Sequence, residues 1–212
     1  MVHLFEYRAV PGHEAELTGF LRRRPLGTPN VEGLVAVIAA RRLSQNGHAH
    51  LAVTCWRDAP CLARGTDAAG LPAPLTPTAE LVGDRVSSHF RAAVQAGLGR
   101  TGARVLRVYR TSVKAGLIGD WEARALESAG QIAAKDGISL ILAGVEIDED
   151  ETTRPSGEVR VVVMTAWTEW DLLLDATGGR LNRAILDTEL ADLEKPAVAD
   201  HFEILASEAG PG

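Results

Sequence analysis

Cysteine is nearly absent from this 212-residue chain, where Cys55 and Cys61 are the two present. Two cysteines cannot form the disulfide framework of a small secreted scaffold, and a lone C-x5-C matches no zinc spacing, so reduced, buried thiols are expected. Long hydrophobic runs are missing too. No apolar stretch approaches the roughly 18 to 20 residues that a membrane span needs, and Met1 to Arg8 has neither a basic n-region nor an apolar h-region. The chain is therefore expected to be cytoplasmic, with no membrane partner. Positive charge is in deficit: the net charge of −6 argues against nucleic acid as a partner. Nor does the chain contain a P-loop, a G-x-G-x-x-G turn or a nucleophile elbow. Composition is otherwise that of a globular chain able to bury a core, 46% hydrophobic and 24% charged.

The organising feature is a stretch that occurs twice. Leu51-Ala52-Val53-Thr54-Cys55-Trp56 is followed by Arg57-Asp58, and Val161-Val162-Val163-Met164-Thr165-Ala166-Trp167 by Thr168-Glu169. Each is an apolar, strand-forming run that ends in Trp, with an acid two positions later and an Ala/Leu-rich helical segment beyond. Charge divides along the chain: residues 1–103 hold 11 basic and 8 acidic residues, and the remainder 11 and 20. Five of the six histidines lie in the first part.

Taken in order, alternation over Val2 to Val10 predicts a strand ended by Pro11-Gly12, and Leu17, Phe20 and Leu21 predict a helix over Glu14 to Arg24. Gly33 to Arg42 and His48 to Arg57 read as strands joined by a turn at Ser44-Gln45-Asn46-Gly47. A short helix over Ala59 to Asp67, a proline-rich irregular connection over Gly65 to Gly83, and a strand over Val86 to Val94 complete a β-α-β-β-α-β order. The same order then restarts. Arg104 to Ser112 is a strand, and Leu117, Ile118, Trp121, Leu126, Ala129 and Ile132 mark a helix closed by Asp136-Gly137. Ile138 to Ile147 and Val159 to Trp167 are strands flanking the acidic run Asp148 to Glu151. Glu169 to Glu194 reads as helical with a break at Gly178-Gly179, and Val198 to Leu205 as the last strand.

The two passes superpose residue by residue. Tyr7-Arg8 falls on Tyr109-Arg110, Gly33 on Gly137, Trp56 on Trp167 and His89-Phe90 on His201-Phe202. The expected fold is α+β, two tandem ferredoxin-like repeats over 1–102 and 103–212. Each repeat is a four-stranded antiparallel sheet with both helices on one face. Packing the two open sheet faces together would give an intramolecular barrel.

On these residues the chain resembles the dimeric α/β-barrel superfamily, in its antibiotic-biosynthesis-monooxygenase-like group, as a tandem-repeat member. The resemblance implies a cavity between the sheet and its own helices, walled by the Trp of the third strand and a polar residue of the first: Trp56 and Trp167, Tyr7 and Tyr109. Heme-degrading members carry a first-strand Asn and a helical His that this chain lacks, so heme is not expected. Cofactor-free quinone-forming members carry an Asn four residues before the Trp, where this chain has Ala52 and Val163.

Strand alternation puts His48, His50, Ala52, Thr54 and Trp56 on one face, and His3, Phe5 and Tyr7 on one face of the first strand. His48 and His50 are the candidate catalytic pair, as bases or hydrogen-bonding groups for a phenol. Wet residues at the start of a strand are the plainer reading. Trp56, Tyr7, His3, Phe5, Thr54 and His89 are candidate substrate contacts, with convergence of His3, His48, His50 and His89 permitted by the sheet. Trp56 reads equally well as core. No metal site is expected. Repeat 2 has Val159, Val161, Val163 and Thr165 in place of His48 to Thr54, so one working site is expected, in repeat 1. Arg8 and Arg110 alternate to the opposite face and are expected to pair with acids such as Glu6 or Glu146.

The function read from these features is that of a small monooxygenase of secondary metabolism acting on a polycyclic phenol or hydroquinone of polyketide type. It would need no cofactor, or a reduced flavin as diffusible co-substrate. A polyketide cyclase on the same fold and a non-enzymatic protein that sequesters a hydrophobe or heme are the alternatives. A small aromatic substrate is the expected partner. Whether the fused barrel forms a homodimer stays open.

Overall fold

The computed structural model describes residues 1–23, 31–43, 48–66, 76–97, 102–147, 157–181 and 198–209. The turn at 44–47, residues 67–75 of the proline-rich connection, the acidic run and the helix expected beyond Leu181 lie outside them. The described residues form β1 (Val2–Ala9), α1 (Glu14–Arg23), β2 (Leu34–Arg42), β3 (Ala49–Trp56), α2 (Ala59–Gly65) and β4 (Val82–Ala96). There follow β5 (Val105–Lys114), a 3-10 turn at Ala115–Leu117, α3 (Ile118–Ala133), β6 (Ile138–Glu146), β7 (Glu158–Trp167), α4 (Trp170–Ala176) and β8 (Val198–Ala209). This is an α+β fold with antiparallel pairing, and no helix among the described residues is long and apolar enough to cross a membrane.

Two compact units divide the chain. The first holds 1–89, 98–101 and 201–212, the second 90–97 and 102–200. In the first, β3 lies between β1 and β2, and β2 pairs on its other side with the end of β8, from Ala36↔Ala209 to Arg42↔Phe202. In the second, β7 lies between β5 and β6, and β6 pairs with the latter half of β4, from Phe90↔Glu146 to Ala96↔Ile141. Strand β4 thus runs from residue 82 to 96, well beyond the segment that alternation marks, because its two halves belong to different units.

The tryptophan-to-helix step has a local cause in each unit. Strands β3 and β7 end at Trp56 and Trp167, and the acids two positions on are the N-cap residues of α2 and α4. Asp58 accepts the Cys61 N–H at 2.7 Å, and Pro60 in the first turn forfeits no intrahelical bond. Gly33 and Gly137 also play matching parts. Both have positive φ (78° and 81°), and their carbonyls accept the N–H groups of Arg57 and Thr168, each at 2.8 Å. A Cβ on either would lie 2.3 Å from the following helix, at Cys61 Sγ or Leu172 Cδ1, so the close approach of backbone to helix requires glycine.

Each unit packs its helices on one sheet face. In the first, Phe5, Tyr7, Ala9, Val37, Ala39, Ala52 and Trp56 bury against Leu17 and Leu21 of α1 and Cys61 and Leu62 of α2. In the second, Val105, Tyr109, Val161, Val163 and Trp167 bury against Trp121, Ala125, Ala129 and Ile132 of α3 and Leu173 of α4. Helix α1 carries Glu14 and Glu16 in its first turn and Arg22 and Arg23 in its last, in the sense that the helix dipole favours.

Pairing corrects one sequence equivalence. Thr54 lies opposite His3 and Thr165 opposite Arg107, while Ala52 lies opposite Phe5 and Val163 opposite Tyr109. Tyr109 therefore occupies the place of Phe5, two residues from the match that its identity with Tyr7 suggests. Both arginines meet acids: Arg8 faces Asp84 at 3.8 Å and Arg110 meets Asp200 at 2.9 Å, while Glu146 pairs with Arg160.

Candidate functional site

The candidate site occupies one end of the first unit's sheet, where β1 and β2 finish and β3 and β4 begin. His48 and His50 both face α1 there. His48 Nδ1 lies 2.7 Å from Glu14 Oε1, and His50 Nε2 lies 2.8 Å from Thr18 Oγ1. The match is geometric: four residues of helix rise about 6 Å, and two residues of strand about 6.6 Å. An i, i+4 pair on α1 therefore meets an i, i+2 pair at the entry to β3.

The two imidazoles differ in environment. His50 is fully buried, and burial is the main cause that lowers its pKa to about 4, with the nearby Arg41 acting in the same sense. It is neutral at physiological pH. The His48 side chain is 52% exposed, and its partner carboxylate is held below the usual range by the backbone N–H groups of Glu14 and Gly12 and then by His48 itself. Glu14 is thus an ionised acceptor.

Two cavities open at this end. One, of about 560 Å³, is lined by Arg8, Val10, Arg42, His48, Gly83 and Asp84 among others. Its size falls within the range of small-molecule sites. The other, of about 210 Å³, has Phe5, Tyr7, Pro77, Val82, Gly83 and Arg85 in its walls. Gly83 lines both.

The remaining candidates lie along the same helix-facing surface. His3 is buried and stacks on His89 with ring centroids 4.2 Å apart, meets Phe5 edge-on at 5.8 Å, and Phe5 lies 4.7 Å from Tyr7. His3 and His89 thus come together, but His48 and His50 do not join them. His50 is level with Tyr7 and His3 with Thr54, four residues along the strand, about 13 Å apart at strand rise. Trp56 lines neither cavity: its N–H donates to Thr54 Oγ1 at 2.8 Å, and a Cβ on Gly65 of α2 would lie 2.3 Å from its ring. Both Trp56 and Thr54 are buried in core contacts. Among the described residues no group of three or more His, Cys, Asp or Glu is placed to hold a metal ion.

Sequence reading missed Glu14, Thr18 and Gly83, and assigned Arg8 elsewhere. The periods of α1 and β3 hold the signal for the first two. It also missed Arg107, the buried counterpart of His3 in the second unit. Arg107 donates to the Leu181 carbonyl from Nε (3.4 Å) and Nη2 (3.3 Å) and lies 5.1 Å from the centre of the Tyr109 ring. Burial lowers its pKa to about 10, which leaves it charged, while burial pushes Tyr109 up. The surface of β7 is as apolar as its valines imply, yet a cation lies across from it on β5.

No family model and no curated protein matches this chain. Solved structures do. A "putative monooxygenase" from Lactobacillus acidophilus superposes with a TM-score of 0.73 at 8% identity, over 98% of this chain and 95% of that one. A protein of the same description from Fusobacterium nucleatum superposes at 0.74 with 11% identity, over 98% and 93%. An anthrone oxidase-like protein superposes at 0.62 with 10% identity, over 100% and 93%. A Listeria monocytogenes ferredoxin-fold protein related to antibiotic biosynthesis monooxygenases reaches 0.56 at 9% identity, over 96% and 94%. At these identities the likeness is one of fold alone, the ferredoxin-like fold.

Proposed function

We propose that the chain is a small oxygenase acting on a flat polycyclic phenol or hydroquinone, with His48 as the base. The observation that carries the reading is His48, in the wall of the 560 Å³ cavity and paired with Glu14. An ionised carboxylate that accepts from Nδ1–H leaves Nε2 as the acceptor, the arrangement by which a histidine takes a proton from a hydroxyl. Arg8 and Arg42 in the same cavity supply positive charge toward the resulting phenolate. His50, buried against Thr18 with its pKa near 4, holds α1 on the sheet and keeps β3 in place under His48.

For an anthrone the step balances as follows. The base removes the phenolic proton, the electron-rich ring carbon takes up dioxygen, and loss of water leaves the quinone carbonyl, so one O₂ is consumed and one H₂O released per CH₂ oxidised. A reduced flavin would serve as a diffusible co-substrate where direct reaction is slow.

The tandem architecture belongs to the same proposal. Matching glycines, matching Thr-x-Trp hydrogen bonds and the sharing of β4 and β8 between the units support one β-α-β-β-α-β unit written twice, joined as an intramolecular dimeric α/β-barrel.

The experiment is oxygen consumption by the purified chain with an anthrone or hydroquinone, with product identification. Stoichiometric oxygen uptake with quinone formation supports the oxygenase. Ring closure of a polyketide-type substrate without oxygen uptake would make it a cyclase. Tight binding without turnover of either would make it a binding protein.

A further inference from the structure

The smaller cavity, of about 210 Å³, lies outside the chemistry assigned to His48, and its lining describes a ligand of its own. Phe5 and Tyr7 line it, their rings 4.7 Å apart and tilted by 50°. Strand alternation turns both to the helix side of β1, while Glu6 between them turns away. Pro77, Ala79 and Val82, from the stretch that leads into β4, add apolar surface, and Thr76 adds a hydroxyl. Arg85 is the one charged side chain among the described lining residues. The acids nearest to it in sequence are otherwise placed: Glu80 is exposed and outside the lining, and Asp84 faces Arg8 at 3.8 Å. Among the described residues, no hydrogen bond or ion pair holds the Arg85 guanidinium.

We infer that this cavity is a second small-molecule site of the first unit, for a single aromatic ring that carries an oxygen acceptor. Size sets the ring count. An apolar cavity of about 150 Å³ takes benzene, so this one has room for a ring and one short substituent. Arg85 sets the polarity: a guanidinium has five donors and no acceptor, so a carbonyl or ether oxygen suits it and an ammonium does not. A planar guanidinium also stacks on an aromatic face, which favours a flat ring over a saturated one of the same size. The site does not depend on the oxygenase reading.

The test is an amide chemical-shift titration of the intact, isotopically labelled protein with three probes. They are acetophenone, cyclohexyl methyl ketone, which keeps the carbonyl but has no aromatic ring, and benzylamine, which keeps the ring but replaces the acceptor with an ammonium. Acetophenone should shift the amides of Phe5, Tyr7, Ala79, Val82 and Arg85. It should bind roughly threefold or more tighter than the cyclohexyl ketone, and roughly tenfold or more tighter than benzylamine, whose charge meets a like charge. Ala79 and Arg85 are exposed, so both can be replaced without cutting into the core. Ala79→Trp fills the cavity and should abolish saturable acetophenone binding, and Arg85→Met should erase the preference over benzylamine. Equal binding of the three probes by wild type overturns the proposal, as do shifts centred on His48 and Ala49 instead. So does a folded Ala79→Trp protein, checked by thermal melting, that binds acetophenone as wild type does. Acetophenone binding here without oxygen uptake on any phenol would leave this site standing and remove the oxygenase reading. Oxygen uptake without binding here would do the reverse.

Discussion

The indole N–H of Trp56 donates to the hydroxyl of Thr54, two residues back on the same strand, at 2.8 Å. Both residues are buried, and the second unit repeats the bond between Trp167 and Thr165 at 2.9 Å. An internal strand hydrogen bond lets a large ring sit wholly within an apolar layer without an orphan donor. Thr54→Val keeps the shape and removes the acceptor, so stability should fall by about 1–3 kcal/mol. Thr165→Val should do the same, and Thr→Ser at either position should recover most of the loss. Urea unfolding midpoints measure all of these.

Gly33 fixes how closely α2 approaches the sheet. Gly33→Ala places a methyl group 2.3 Å from Cys61 Sγ and asks an L residue to take φ of 78°. Both effects act against the fold. Overpacking alone costs about 1–3 kcal/mol. Gly137→Ala should cost less, since the atom it meets is the tip of the partly exposed Leu172 side chain, which can move aside. Gly12→Ala has a positive φ of 90° but nothing within 4 Å, so it isolates the backbone contribution and should cost less. Thermal unfolding of the three variants ranks them.

His50 makes stability depend on pH in a defined window. Its folded pKa of about 4 lies below the ordinary value of 6.5, so between those values the unfolded chain binds more protons than the folded one. Stability contributed by neutral His50 is therefore fully present above pH 6.5 and is lost as pH falls toward 4. The size is on the order of 3 kcal/mol across the window. His50→Gln removes the titration and should flatten the pH dependence of the denaturation midpoint over that range. An unchanged slope would mean that other groups govern it.

Much of the fold was legible because its signals are local. Strand alternation, Pro11-Gly12, the acid two residues after each Trp and the paired glycines are short-range features, and each corresponds to a turn, a cap or a close approach in the structure. The fourth strands were not legible in the same way. The latter half of β4 pairs with β6, and β8 with β2, from the other pass of the chain, and no periodicity states a strand's partner. Identity also misled: Tyr7 and Tyr109 look equivalent, yet cross-strand pairing puts Tyr109 with Phe5. At the site, alternation placed His48 and His50 on the helix side correctly. Their separate characters come from α1, since Glu14 and Thr18 meet them only when the helix lies on the sheet. Arg107 stood in plain sight in an apolar strand, but its burial depends on the packing of its whole unit.

Glu14 acts on the proposed base through a hydrogen bond and touches no other reacting group, so it is a positioning residue. Glu14→Gln should lower kcat with little change in KM, about 10-fold or more. Glu14→Asp should restore part of the rate. A purely structural role for Glu14 would show as a lower melting temperature with kcat of the folded protein unchanged.

The central claim is that proton removal at His48 drives oxidation of a phenol in the cavity that Arg8 and Arg42 line. The most direct measurement is kcat/KM for oxygen uptake by His48→Ala and His50→Gln, each against wild type on the same phenol. The account predicts a loss of about 100-fold or more for His48→Ala, and at most a few-fold loss for His50→Gln, whose cost falls on stability. Equal rates for His48→Ala and wild type, or a larger loss at His50, would contradict it.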